Sequence, residues 1–276
     1  MNYYLNDGLE GVERRQYRDA RSFTRAINSQ ADKLGSGNLN SGQYAVFSPV
    51  SQDQLTNLEC IRDTRYKSLR FLYLNDAETL IVKMTPGPAH IVATSELAKY
   101  LIEKLAAMGL HRALHDMRAA AYQGVRSKKE ADTALKPSTS RPRRTGWPTV
   151  VFECGILESQ RRLRADARWW LENSARAVNT VLLISVSEPG RNIHLEQWGI
   201  RSTPNPYITK GRPHPLSATP TKINDIDMDG DTVTGPPLRL AFDEDFLRPP
   251  ASGEGDIVFT VQDLRDYSND VWSGME

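Results

Sequence analysis

The run Thr149-Val150-Val151-Phe152-Glu153-Cys154 decides the fold. Its first four residues are β-branched or aromatic, and the run is nearly continuous in apolar character. That pattern predicts a central strand covered on both faces. Upstream, residues 136–147 (KPSTSRPRRTGW) are rich in Pro, Ser and Arg and predict an exposed loop. Downstream, Leu163, Ala167, Trp170, Leu171 and Ser174 fall on one face of a helix. Thr180–Val186 and Ile193–Trp198, joined by SEPGRN, read as two more strands.

Farther out, LRFLYL (69–74) and TLIVKM (79–84) flank Asn75-Asp76-Ala77-Glu78 and predict a hairpin. Leu97, Leu101, Leu105 and Met108 recur at helical spacing before Gly109, which predicts a helix over residues 91–109. Residues 10–34, rich in charges and helix formers, predict a helix ending at Leu34-Gly35-Ser36-Gly37. Residues 202–236 are Pro-rich and irregular, and a strand at Leu238–Phe242 and a helix at Val261–Trp272 close the chain. The order from residue 91 predicts an α/β (α+β) design, a mixed sheet flanked by helices. Three regions follow: an N-terminal helical and irregular extension (1–68), a core (69–200), and a C-terminal extension (201–276) packed on that core.

The bulk numbers set limits. With 276 residues, 39% hydrophobic and 25% charged, the chain can bury one large domain or a core with extensions. No apolar run approaches the roughly 18–20 residues of a membrane span, and the N-terminus lacks a signal-peptide pattern. Two cysteines make no disulfide framework, so an intracellular protein, nuclear or cytoplasmic, is expected. A net charge of +1 gives no global basic field; nucleic-acid binding would have to come from a local patch.

Glu153 is the residue that breaks the apolar run. A carboxylate there loses hydration and needs a partner or a metal. Asp132, in KKEADTALKP (128–137), precedes the basic loop; if that loop folds back, the two acids lie on neighbouring strands. Converging carboxylates form a hard-oxygen site suited to Mg²⁺ (or Mn²⁺). Arg143, Arg144, Arg161, Arg162, Arg164 and Arg168 surround this segment and are candidates to hold phosphates. The competing structural reading pairs Glu153 with an arginine of the next helix and leaves Asp132 as a turn cap.

Other motifs carry less. The alternation of Asp225, Asp227, Asp229 and Asp231 lacks the Glu that an EF-hand needs at its twelfth position, where Pro236 stands, and predicts an Asp-Gly turn. The five histidines lack zinc spacing, and no Walker loop or GxSxG elbow is present.

KKEADTALKP, WPTVVFECGILESQRRLRADARWWLENS (147–174), VLLISV (181–186), IHLEQW (193–198), PLRLAFDEDFLRPP (237–250) and GDIVFTVQDLRDYSNDVW (255–272) together resemble a group of fungal restriction-endonuclease-like proteins of the PD-(D/E)XK superfamily. The shared patterns are K-x-A-D-x-A-x-x-P, P-T-x-V-x-E-x-G-x-S-E-S and L-R-x-D-A-x-W-W-L, and the similarity runs from about residue 80 to the C-terminus. The resemblance implies a restriction-endonuclease-like core and a metal-dependent nuclease acting on nucleic acid, DNA in preference to RNA, with no membrane and with a homodimer possible. On it, Asp132 takes the Asp of PD and Glu153 the acid of (D/E)XK; both would hold the metal, with the Cys154 carbonyl completing the shell. Two departures stand out. The expected Lys two residues after Glu153 is Gly155, and the expected Ser is Leu157. Arg161, Arg162 or Lys129 is the candidate replacement for the lysine, although an arginine stabilises charge and accepts no proton. Glu158 and Gln160 would either add to the metal shell or cap the next helix, capping being the favoured reading, and Glu96 is an outlying metal contact. The alternative is a catalytically inactive nuclease-fold protein that binds nucleic acid or protein. If the two acids repel one another, Glu153→Gln should stabilise the fold.

Overall fold

A computed structural model describes residues 2–35, 42–84, 87–143, 145–156, 159–204 and 216–275. Arg144, Leu157 and Glu158 lie outside the described residues. The architecture is α+β, with mixed sheets flanked by helices. The first part of the chain contributes α1 (Asn2–Asn6), β1 (Arg14–Gln16), α2 (Ala20–Gly35), β2 (Tyr44–Ser48), α3 (Gln52–Arg65), β3 (Arg70–Leu74) and β4 (Thr79–Lys83). Then come α4 (Gly87–Ala107), β5 (Leu114–Asp116), β6 (Ala121–Gln123), β7 (Ser127–Glu130), β8 (Thr133–Pro137), β9 (Val150–Ile156), α5 (Gln160–Asn173) and β10 (Thr180–Ser187). The chain closes with β11 (Asn192–Pro204), β12 (Leu216–Asp229), β13 (Thr232–Thr234), β14 (Leu238–Leu240), α6 (Phe242–Phe246), β15 (Ile257–Phe259) and α7 (Val261–Ser273).

Among the described residues, a six-stranded sheet runs β1-β2-β4-β3-β7-β6 and a seven-stranded sheet runs β13-β12-β11-β10-β9-β8-β5. The run around Glu153 is a central strand: β9 pairs antiparallel with β8 and parallel with β10. One face of β9 (Val150, Phe152, Cys154) joins a core with α4 and the C-terminal segment, including Leu238, Leu240, Phe242, Phe246, Ile257, Phe259, Leu264 and Trp272. The other face packs Val151 with Leu163, Ala167, Trp170 and Leu171 of α5 and with Leu72 and Ile81 of the six-stranded sheet. A third core, with Phe23, Ile27, Leu55 and Leu58, holds α2 and α3 on the opposite face of the six-stranded sheet.

Several expectations need revision. Arg14–Gln16 forms a strand parallel to β2, so the helix expected over residues 10–34 begins only at Ala20. Because β1 and β2 join β4, residues 14–48 share a sheet with residues 70–83, and a line drawn at 68/69 passes through it. Residues 216–229, expected to be irregular, extend the seven-stranded sheet. Lys136 is buried at the end of β8, its Nζ donating to the Arg143 carbonyl at 2.6 Å, so the exposed stretch starts later than expected. Among the described residues, no helix is long and apolar enough to cross a membrane.

Candidate active site

Strand register brings the two acids together. Thr133 pairs with Phe152 and Ala134 with Val151, which places Asp132 across from Glu153. The six-stranded sheet faces them with cations. Arg70 pairs with Lys83, and Leu72 pairs with both Ile81 and Lys129, so Arg70, Lys83 and Lys129 share the face that carries Leu72 and Ile81. The site is therefore the charged part of the seam between two sheets, with α5 adding Asp166 and Arg162.

Lys83 is its hub. Its Nζ lies 2.6 Å from Asp132 Oδ2 and 2.9 Å from Glu153 Oε2. Burial disfavours the ammonium, but the Asp132 and Glu153 carboxylates outweigh it and hold the Lys83 pKa well above its usual value. Lys129 Nζ stands 3.2 Å from both Glu153 Oε1 and Asp166 Oδ1, and the Trp170 indole N–H donates to Glu153 Oε1 at 2.7 Å. Asp132 Oδ2 also accepts from the Cys154 amide at 2.8 Å. Burial raises the Asp132 pKa, but Lys83, His90 and Arg70 overcome it and leave the carboxyl well below its ordinary range. Asp166 shifts the same way, Lys129 and Arg162 prevailing over burial. Glu153 is fully buried and Asp132 is 8% exposed.

His90, at the start of α4, reaches the same point. Its Nε2 lies 2.8 Å from the Cys154 carbonyl and 3.3 Å from Asp132 Oδ2. Both neighbours accept hydrogen bonds, so the proton belongs on Nε2. The Cys154 carbonyl thus sits beside the carboxylates and is already engaged. Asp132 Oδ1 is a buried oxygen without a hydrogen-bond partner; Arg70 Nε stands 3.6 Å away. Asp132 Oδ2 and Glu153 Oε2 reach one common cation, the Lys83 ammonium. The donors are oxygens of the kind a hard divalent ion takes, and the point on which they converge is held by the Lys83 ammonium.

Gly155 explains why no lysine follows Glu153. A Cβ there would lie 2.6 Å from Ser159 Oγ and 3.2 Å from Leu163 Cδ1. A side chain there would require the ends of Ser159, Gln43 and Leu163 to move, and the ammonium groups come instead from β4 and β7. Sequence reasoning proposed Lys129 but missed Lys83, His90 and Asp166. A signal for Lys83 was present: it interrupts TLIVKM as Glu153 interrupts TVVFEC.

The arginines divide. Arg162 is 1% exposed; its guanidinium donates to the Tyr4 and Asp7 carbonyls and pairs with Asp166 at 3.3 Å. It ties α5 to the N-terminal segment and does not face solvent, contrary to a phosphate-binding role. Gly8 makes that approach possible: it has φ +69°, and a Cβ there would lie 2.5 Å from Arg162 Cα. Arg161 is exposed and pairs with Asp7 and Glu10. Arg143 is exposed. Glu96 pairs with Lys99 and is no part of the cluster. A second polar group, His194, Asp225 and Asp227, places ligand atoms within 4.8 Å of one another on β11 and β12. Lys222 already pairs with Asp225 there, and Arg164 and Lys222 with the adjacent Glu196, so this group is charge-compensated.

Neither a protein-family model nor a curated protein sequence matches this chain. Among solved structures, it is similar to a candidate nuclease belonging to DUF820 from Anabaena variabilis ATCC 29413, at a TM-score of 0.39 and 11% identity, over 72% of this chain and 90% of that one. At that distance the likeness carries no weight for function. What the fold and site define is a class of arrangement: an α+β protein with an acid–acid–lysine cluster at the junction of two sheets.

Proposed function

We propose that this chain is a metal-dependent nuclease, hydrolysing phosphodiester bonds of nucleic acid at a degenerate PD-(D/E)XK site. The observation that carries the reading is the convergence of Asp132, Glu153 and Lys83, from three segments distant in sequence, on one point. Asp132 and Glu153 would hold Mg²⁺ or Mn²⁺, with the Cys154 carbonyl as a further donor. Bound there, the ion would polarise the phosphodiester and lower the pKa of a water molecule. Lys83 takes the place left by Gly155. Held charged by its two carboxylates, it offsets negative charge on a phosphate and does not act as a base. Lys129 and the Trp170 indole hold the Glu153 carboxylate in position, and His90 fixes Asp132.

One observation favours a second reading. Each oxygen of Glu153 already has a partner, and the residue is fully buried. On that reading the cluster is a structural clasp and the chain is a non-catalytic module. A cleavage assay with Mg²⁺ and with Mn²⁺, on single- and double-stranded DNA and on RNA, separates them. The nuclease reading expects metal-dependent cleavage by the wild type and its loss in Glu153→Gln. No cleavage of any substrate with either metal gives the module.

A further inference from the structure

The face of the six-stranded sheet remote from the acidic cluster carries α2 and α3, and the outer sides of these helices enclose a groove of about 990 Å³. Arg21 and Arg25 line it from α2 and Arg65 from α3. All three are exposed, and among the described residues none is in a close ion pair, Arg21 lying beside Asp19. Several arginines elsewhere are neutralised in place: Arg162 by Asp166, Arg164 by Glu196, Arg239 by Asp256 and Arg248 by Glu254. In a chain of net charge +1, Arg21, Arg25 and Arg65 concentrate positive charge in this groove, with Asp32 as the acidic residue on its walls.

We infer that this groove binds the sugar–phosphate backbone of nucleic acid. The groove residues of α2 recur every three to four positions from Arg21 to Lys33, a stripe about 18 Å long at 1.5 Å per residue. A point anion needs no such length, whereas a strand with one phosphate per about 3.4 Å of axis fills it. Guanidinium groups match phosphate oxygens in geometry. Thr24 and Ser29 add hydroxyl donors, and Asn28, whose Oδ1 is occupied by the Tyr66 hydroxyl at 2.9 Å, keeps its amide N–H groups available. Such groups serve backbone contacts, which position a duplex without reading its sequence. The walls carry no aromatic ring on which bases would stack, and no deep apolar pocket to anchor a peptide. Because the groove lies across the sheet from Lys83 and Glu153, it acts whether or not the acidic cluster is catalytic.

The test measures binding without cleavage. Fluorescence anisotropy of a labelled DNA duplex is followed over a salt series in EDTA, for the wild type and for the triple variant R21Q/R25Q/R65Q. Each phosphate contact contributes about 0.9 to the slope of log affinity against log salt, so the slope should fall by about 2.7 in the triple variant. Arg248→Gln, in the C-terminal segment and already paired with Glu254, should leave it unchanged. Cys60 gives an independent readout: it is exposed on the groove wall, whereas Cys154 is buried. Duplex DNA should slow alkylation of Cys60. The inference fails if wild type does not bind, if the slope is unaltered in the triple variant, or if Cys60 reacts equally fast with DNA present. It fails equally if polyglutamate or anionic vesicles displace the duplex at matched charge. Because binding is read in EDTA on uncleaved duplex, this outcome stays distinct from that of the cleavage assay.

Discussion

The two faces of β9 were built by different rules. On one, Val150, Phe152 and Cys154 meet α4 and the C-terminal segment in a core of aliphatic and aromatic side chains. On the other, Val151 is followed by Glu153, which sits among Lys83, Lys129, Trp170 and Asp132. The first face gains stability from area removed from water, without regard to direction. The second recovers the cost of buried charge only because each carboxylate has partners at hydrogen-bond distance. One strand thus carries a surface that tolerates repacking beside one that does not tolerate the loss of a partner.

The largest effect should come from stripping the apolar face. Removing residues 237–276 exposes Leu238, Leu240, Phe242, Phe246, Ile257, Phe259, Leu264 and Trp272, each worth roughly 1.5–3 kcal/mol of burial. Their sum, roughly 12–24 kcal/mol, matches or exceeds a domain stability of about 5–15 kcal/mol, so the shortened chain should show no cooperative melt. A soluble product with an unchanged melting temperature would make the segment an independent unit and dissolve the comparison.

On the charged face, Lys83→Met should cost about 3–5 kcal/mol in urea unfolding, because it leaves Asp132 and Glu153 facing one another without the ammonium between them. Glu153→Gln should also destabilise. This reverses the expectation from carboxylate repulsion alone, since the structure gives Glu153 two ammonium partners. A Lys83→Met protein as stable as wild type would place this face under the same rule as the apolar one.

Per pH unit, a smaller effect separates buried charge with partners from buried charge without. Asp245 is fully buried beside Thr180; its Oδ2 has no hydrogen-bond partner, and burial pushes its pKa up to about 8. A folded pKa above the unfolded value near 4 favours folding at low pH. That contribution is lost as pH rises from about 4 through about 8, at no more than about 1.4 kcal/mol per pH unit. Asp245→Asn should remove the slope, so the variant should gain on wild type toward pH 8 in thermal melts. Parallel pH profiles for the two proteins would show that Asp245 is ionised in the fold.

Much of the frame was legible. TVVFEC as a central strand, the hairpin around Asn75–Glu78, and α5 with Leu163, Ala167 and Trp170 inward all followed from short-range periodicity, which records burial directly. The juxtaposition of Asp132 and Glu153 was readable because one antiparallel pairing joins them. Lys83 was not, because its link to Glu153 spans 70 residues and passes through a second sheet, and no local pattern encodes that. Arg162 misled for a related reason. An arginine within QRRLR reads as solvated, and its burial depends on carbonyls of Tyr4 and Asp7, some 155 residues away.

The central claim is that Lys83 supplies the charge that Gly155 cannot. The most direct measurement is the single-turnover cleavage rate of Lys83→Met and Lys83→Arg beside wild type, with Mg²⁺, at a temperature where circular dichroism shows all three folded. Losing one preorganised charge-stabilising group costs about 10²–10³ in rate. Lys83→Met should therefore fall by that factor, and Lys83→Arg, which keeps the charge, should retain more activity than Lys83→Met. A Lys83→Met protein that cleaves at the wild-type rate would contradict the account.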